Sequence, residues 1–345
     1  RELDYRSESS RQQFMAQQLS VDGLLIPQVY NDYCSSRVLV QSWEQGELLD
    51  QVLDWSKVDR MLIARTLLLT LFQSIFKVGQ VHGDPHMGNS FYRHGQNGRP
   101  EVVLLDYGCT IEISQQARLA LLQLIIETRN NRADKALANF SAMGFEPEKL
   151  VYIATELPLL TQILFKPFVA DEPFETQQWL IKTTFSELLG DKKWWFRSAG
   201  PANLFLLMRA FQGLVRQMQR LQVSLPWWPL LQQAVGETVM HRAALFKAPD
   251  LPSQVLAAVR DTESIASVLR IVVSTEKEIM VDMTLPAQAA LDLQEIMPDD
   301  IRIKIASETD FDFKQLKQRL LSSHFNTQEI LVFKKQQKSY KIWLE

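Results

Sequence analysis

Asp84, Asn89 and Asp106 are the residues whose types and spacing could carry chemistry. Asp84 and Asn89 sit in the run His-Gly-Asp-Pro-His-Met-Gly-Asn, with four residues between them. Asp106 ends an apolar run and opens the tripeptide Asp-Tyr-Gly. Phosphoryl transfer from ATP asks little covalent work of a protein. It needs Mg2+ on the phosphates and an oriented nucleophile. Mg2+ prefers oxygen ligands, typically one or two carboxylates beside the phosphates. An Asp-x4-Asn loop supplies a carboxylate for a hydroxyl or water and an amide oxygen for the metal. An Asp at a strand end before Gly supplies a second metal ligand, because Gly permits the sharp turn. The order matches the kinase pattern H-R-D-x-x-x-x-N followed by D-F-G, here His82-Gly83-Asp84 to Asn89 and then Asp106-Tyr107-Gly108.

Each piece alone is weak, since a lone Asp-Tyr-Gly is usually a turn. The pieces in this order, after a long apolar helix, are far more specific. A competing set is His82, Asp84 and His86 as ligands for Zn2+ or Mn2+. His94, His241 and His324 lack ligand-like spacing, so a second distant ligand set is hard to assemble. In the phosphotransfer reading, His82 and His86 instead hydrogen-bond the loop backbone and fix its shape.

The elements that must hold these residues can be read from periodicity. Residues 2–20 are polar and helix-compatible. The runs LLIPQVY and RVLVQSW are β-rich and flank the turn-like NDYCSS. Glu47 to Trp55 reads as a short helix, and Val58 to Val78 as a long one of period near 3.6. Gly95 and Asn97-Gly98, in the turn HGQNGRP, punctuate a hairpin between VHGDPHMGNSFYR and EVVLLDYG. From Ser114 to about Ala248 nearly everything is helical, with Pro and Gly at the ends. Behind 250–264 the texture changes to a strand pair, helices and a closing hairpin. The expected architecture is α+β and mostly α. It has a kinase-like domain over 1–250, divided into an N-lobe remnant 1–46 and a C-lobe 47–250, and a small α+β module over 264–345.

Composition bounds the rest. The chain has 345 residues, 46% hydrophobic and 22% charged, which is globular. Lys+Arg number 37 against Asp+Glu 40, a net charge of -3, so no global field favours nucleic acid and no nucleic-acid partner is expected. Cys34 and Cys109 are far apart and form no metal or disulfide pattern. A reducing, cytoplasmic setting is the natural reading. No stretch reaches ~18 consecutive apolar residues, so Met61 to Val78 reads as a buried core helix and no transmembrane segment is expected. Arg1 to Ser10 has no signal-peptide shape and no initiating Met, which points to residues missing upstream. The runs DKKWWFR (191–197) and PWWPLL (226–231) combine Trp with polar or basic neighbours. Trp and Lys/Arg suit an anionic membrane surface, whereas core packing is the stronger reading for Trp227 and Trp228.

On these residues the sequence resembles the UbiB/AarF family of atypical, protein-kinase-like proteins. H-G-D-P-H-M-G-N is similar to that family's catalytic loop, and L-L-D-Y-G to its metal-binding motif. ELDYRSE resembles its E-x-D signature followed by the helix-C glutamate, here Glu2, Asp4 and Glu8. The resemblance implies that Glu8 pairs with an ATP-contacting lysine. It implies that Glu2 and Asp4, with the loop residues His82 and His86, are family-specific, and that backbone at Gln41, Ser42, Trp43 and Glu44 faces adenine. NLFLLMRAFQGLVRQM resembles a late helix of the C-terminal lobe, so the likeness runs from residue 1 to about 245. The family's K-x-G-Q segment, Ala-rich nucleotide loop and third-strand lysine precede the E-x-D helix and have no counterpart here. A fragment of a longer protein and a truncated member both stay open.

The function this implies is that of an ATP-binding, Mg2+-dependent atypical kinase or ATPase linked to ubiquinone biosynthesis. Asp84 is the base, and Asn89 and Asp106 are the Mg2+ ligands. Two alternatives stand beside it. One is a catalytically silent pseudokinase scaffold binding lipid or protein. The other is a small-molecule phosphotransferase of the aminoglycoside or choline kinase type, against which the E-x-D segment argues. A nucleotide is the first expected partner. A peripheral contact with the inner membrane or an isoprenoid lipid, and a protein partner at the C-terminal module, are the further expectations.

Overall fold

The computed structural model describes residues 4–84, 86–258, 265–275, 278–309, 311–323, 325–335 and 337–345. Glu2, singled out above, and Pro85 of the loop lie outside the described residues. The chain is an α+β protein dominated by helices, with small sheets. It divides into two compact units. The first comprises 1–145, 157–184 and 200–249, and the second 146–156, 185–199 and 250–345.

In the first unit the N-terminal helix Tyr5–Gln18 begins at Asp4, whose side chain accepts the Arg6 N–H at 3.1 Å. This is the capping role for which a short carboxylate is suited. The β-rich runs of the sequence condense to little regular strand. What remains is the two-residue β1 (Leu24–Leu25) and, apart from it, the isolated bridges Val29↔Gln41 and Ser35↔Val38. The long helix Lys57–Gln73 starts on Ser56, whose Oγ accepts the Asp59 N–H at 3.1 Å. It widens into one π turn, Ser74–Val78, and stops at Gly79. Gly79 sits at φ 78°, a left-handed conformation that glycine takes without a Cβ penalty. Residues 57–78 are long and apolar enough to cross a membrane by length and composition, which a count of unbroken apolar residues understated. Their most apolar window is 61% buried inside the protein, as suits a core helix.

That helix delivers the chain into β2 (Gln80–His82). β3 (Ser90–His94) and β4 (Pro100–Leu104) form the expected hairpin, β1 adds to β4 in parallel, and β5 (Thr110–Glu112) pairs antiparallel with β2. The hydrophobic core joins the long helix, the strands and the helices Gln115–Arg129, Ala202–Leu221 and Trp227–Val235. Trp227 is 1% exposed and lies edge-on to Phe72, Phe168, Phe174, Trp179 and Phe211. Arg129 lies over the Trp228 ring at 4.8 Å. This pair therefore packs inward, as apolar area removed from water requires.

The second unit is built on a four-stranded antiparallel sheet of order β7-β6-β9-β8, with β6 Val268–Thr275, β7 Ile279–Pro286, β8 Gln328–Lys335 and β9 Lys338–Leu344. Helix Phe313–Ser322 is capped by Asp312, which accepts the Lys314 N–H at 2.7 Å. A helix at Asp299–Glu308 was not read from the sequence, although Pro298 and two acids in its first turn are a start signal. The expected break near 250 is not a single cut. Trp195 meets Tyr152 and Phe325, at 4.0 and 5.4 Å between centroids, and its Nε1 donates to the Ala266 carbonyl at 3.2 Å. Segments 146–156 and 185–199 thus help bury the core of the C-terminal module. Trp195 and Phe196 face that interior and Arg197 lies over Trp194, so most of the aromatic content of DKKWWFR is spent on packing.

Candidate phosphotransfer site

Register brings the two motif loops together. β2 leaves at His82, opposite Thr110, where β5 begins. β3 begins at Ser90, opposite Leu104, where β4 ends. The loops 83–89 and 105–109 therefore hang from the same two strand pairs. They are also sewn to each other. Gly83 N–H donates to the Cys109 carbonyl at 2.8 Å, Leu105 N–H to the Asn89 carbonyl at 2.8 Å, and His82 Nε2 lies 2.9 Å from the Leu105 carbonyl. The His82 ring also meets the Tyr107 ring edge-on at 5.5 Å. Gly83 is required for this approach, because a Cβ there would come within 2.8 Å of Cys109 Sγ.

Within the first loop Asp84 is doubly held. Asn89 Nδ2 donates to its Oδ2 at 3.1 Å, and Arg209 Nη2 to its Oδ1 at 3.2 Å. With its nitrogen donating to Asp84, the Asn89 amide has Oδ1 as its remaining polar atom. His86 caps the short turn Met87–Asn89, its Nδ1 accepting the Gly88 N–H at 3.1 Å. Both loop histidines are thus engaged with backbone. Among the described residues no group of three or more His, Cys, Asp or Glu could hold a metal, which removes the His82/Asp84/His86 chelate.

Around the second loop the backbone itself is turned. Asp106 has φ 60°, a left-handed conformation that Asp tolerates better than most residues, and its Oδ1 accepts the Gly108 N–H at 3.1 Å. The N-terminal helix reaches over this turn. Glu8 Oε1 accepts the Tyr107 N–H at 3.2 Å, and Arg11 Nη1 donates to the Gly108 carbonyl at 2.8 Å. Glu8 and Asp106 are close, since both have a carboxylate oxygen within 3.6 Å of where a Gly108 Cβ would sit. Burial first, and the Asp106 charge second, push the Glu8 carboxyl above its usual range. The Tyr107 N–H, Arg11 and His82 pull it back. Like charges held this way favour a cation between or beside them.

The side-chain types present in the two loops are ones that Mg2+ accepts. The Asp106 carboxylate and the Asn89 amide oxygen are hard ligands. A site with few protein ligands leaves the remaining positions to phosphate oxygens and water.

Residues 1–140 match the profile of the ABC1 atypical kinase-like domain. The chain is 34% identical over 122 residues to the AarF domain-containing kinase 1 of Drosophila melanogaster, covering 34% of this chain and 23% of that protein. It is 31% identical over 138 residues to the AarF domain-containing protein kinase 1 of Xenopus laevis, covering 38% and 26%. With the chloroplastic ACTIVITY OF BC1 COMPLEX KINASE 1 of Arabidopsis thaliana it shares 29% over 147 residues, covering 42% and 21%. The matched chain spans only about a fifth to a quarter of these relatives' lengths. A Mycobacterium tuberculosis protein solved in complex with erythromycin superposes with a TM-score of 0.49 at 20% identity, over 68% of this chain and 58% of that one.

Within the ABC1 segment, Gln41 to Glu44 form a tied strip. Gln12 Nε2 donates to Gln41 Oε1 at 2.7 Å, Ser42 Oγ donates to Glu44 Oε1 at 2.7 Å, and Glu44 pairs with Arg93 at 2.8 Å. Trp43 is 86% exposed. Sequence reasoning missed Arg209, which lies outside the ABC1 segment on the helix Ala202–Leu221. An arginine on a long amphipathic helix has no distinguishing spacing, and the pairing with Asp84 appears only in three dimensions.

Tyr107 offers a test of the packing beneath the ABC1 site. It is fully buried and its hydroxyl has no hydrogen-bond partner among the described residues. Burial drives its pKa upward, so the hydroxyl stays protonated. Tyr107→Phe should raise stability by about 1 kcal/mol, because an unsatisfied buried donor is costly. Urea denaturation reads this directly, and a loss of stability would mean that the hydroxyl has a partner.

Proposed function

We propose that this chain carries the metal-holding part of an atypical phosphotransferase centre, an ATP-binding, Mg2+-dependent kinase or ATPase. What supports the reading is the cross-tying of the two motif loops. It gathers Asp84, Asn89, Asp106 and Glu8 on elements fixed by the long helix and two strand pairs. Asp106 and Asn89 would hold Mg2+, which neutralises charge on the transferring phosphate. Asp84 orients the acceptor hydroxyl and takes its proton as that oxygen bonds to the γ-phosphorus. The bond from γ-phosphorus to the bridging oxygen breaks, and ADP leaves with that electron pair. Arg209 and Asn89 keep the Asp84 carboxylate pointed. Glu8 braces the Asp106 turn through Tyr107 N–H and is the candidate partner of a nucleotide-contacting lysine. Backbone at Gln41, Ser42, Trp43 and Glu44 would face adenine.

By family likeness the reading extends to ubiquinone biosynthesis and to an isoprenoid lipid or membrane-surface partner. It also extends to a protein partner at the C-terminal module. A cytoplasmic location, peripheral to a membrane, goes with that extension. The silent-scaffold reading has one observation in its favour, the ion pair that occupies Asp84.

Thermal melts separate the two. The first reading expects ATP with Mg2+ to raise the melting temperature and ATP with EDTA to leave it unchanged. An unchanged melt at millimolar ATP and Mg2+ would favour the scaffold. Measured nucleotide hydrolysis or transfer, lost in Asp84→Asn by about a hundredfold or more, then assigns turnover.

A further inference from the structure

Arg209, Arg216 and Arg220 lie on one face of the helix Ala202–Leu221, at spacings of seven and four residues. With Asp84, His86 and Met87 of the loop they line a groove of about 700 Å3. Asn89, Asp106 and Glu8 do not line it. The groove therefore opens on the Asp84 side of the loop, away from the residues assigned to the metal.

Its charge is unbalanced. Three guanidiniums face one lining carboxylate. Arg209 is paired with Asp84, and Arg220 pairs with Asp50 while its Nη1 approaches Met87 Sδ at 3.5 Å. Arg216 is exposed and has no ion-pair partner among the described residues. Arg216 and Arg220 are one turn apart, so both guanidiniums can reach a single oxyanion, the arrangement that the planar fork of arginine suits best. Gly213 between the arginines adds no side chain to fill the floor.

We propose that this groove is the acceptor subsite, and that Arg216 and Arg220 seat the phosphate group of a small phosphorylated alcohol whose hydroxyl lies at Asp84. The assignment rests on the phosphotransfer reading above and names its substrate class. The rise between residues 209 and 216 is about 10 Å. That bounds the distance between the acceptor's hydroxyl and its phosphate, and fits a polyol or sugar phosphate. A dianionic phosphate matches two convergent guanidiniums better than a carboxylate does.

Calorimetric titration of the full chain with glycerol 3-phosphate, glycerate and glycerol tests this. Saturable, salt-sensitive binding of glycerol 3-phosphate is expected, weakened by about tenfold or more in Arg216→Glu. Arg216→Lys, which keeps the charge and loses the fork, should fall between. Arg132→Glu, a charge reversal at an exposed position elsewhere, controls for net charge. The proposal is overturned if glycerol 3-phosphate does not bind saturably, if glycerate binds equally well, or if Arg132→Glu weakens binding as much as Arg216→Glu does. Circular dichroism confirms that the variants are folded. The Mg2+-ATP melt of the unaltered protein is read separately. Phosphate binding without a nucleotide shift would sink the phosphotransfer reading and leave an anion site. A nucleotide shift without phosphate binding would sink the acceptor subsite alone.

Discussion

Asp106→Asn should keep the fold and lose the Mg2+-dependent nucleotide stabilisation. A ligand present at a hundred times its Kd stabilises a protein by about 2.7 kcal/mol, and that whole increment should vanish in the variant. Asn is the apt replacement because it tolerates the left-handed backbone that Asp106 occupies at φ 60°. It can also accept the Gly108 N–H through its side-chain oxygen. What it removes is the negative charge that a divalent cation needs, and with it the repulsion against the half-buried Glu8. The ligand-free variant should therefore melt no lower than the unaltered protein, and somewhat higher if the repulsion is felt. Thermal melts with Mg2+-ATP, ATP with EDTA, and neither measure both effects. A full nucleotide shift surviving in Asp106→Asn would show that Asp106 is not a metal ligand.

Trp227→Ala should be the most damaging substitution in the first unit. Its ring is 1% exposed and is met by five aromatic rings at centroid distances from 5.6 Å, to Phe168, to 6.5 Å, to Phe174. Truncation of a large buried aromatic costs about 3–5 kcal/mol, against a total that is ordinarily about 5–15 kcal/mol. The helix Trp227–Val235 packs against the long helix that feeds β2 and the loop after it. Loss of Trp227 should accordingly blunt the nucleotide shift as well as the melt. Trp227→Phe keeps most of the apolar volume and should cost much less. Equal losses in the two variants would mean that the cavity term is not what matters at this position.

How much of this was legible beforehand follows from the range of each interaction. The Asp84-to-Asn89 loop and Asp106-Tyr107-Gly108 could be found because their chemistry needs fixed residue types at short, fixed spacing. The long helix, the 90–104 hairpin and the strand pairs of the C-terminal module could be found from period and turn residues. The two-residue β1 could not be sized, because a β-rich run becomes strand only where a partner backbone is available, and at Leu24–Leu25 that partner is β4, far along the chain. The helix at Asp299–Glu308 is legible only at its start, where Pro298 and two acids stand.

The sequence by itself determined the two short motifs that carry Asp84, Asn89 and Asp106, and the helix-hairpin frame behind them, since both are written in local order. The tertiary structure alone decided that Arg209 pairs with Asp84, that Glu8 crowds Asp106, and that residues 146–156 and 185–199 complete the C-terminal core. These are contacts between segments tens to more than a hundred residues apart. No local period or spacing encodes them, because which side chains share a charge or a core is settled only when the whole chain has closed around them.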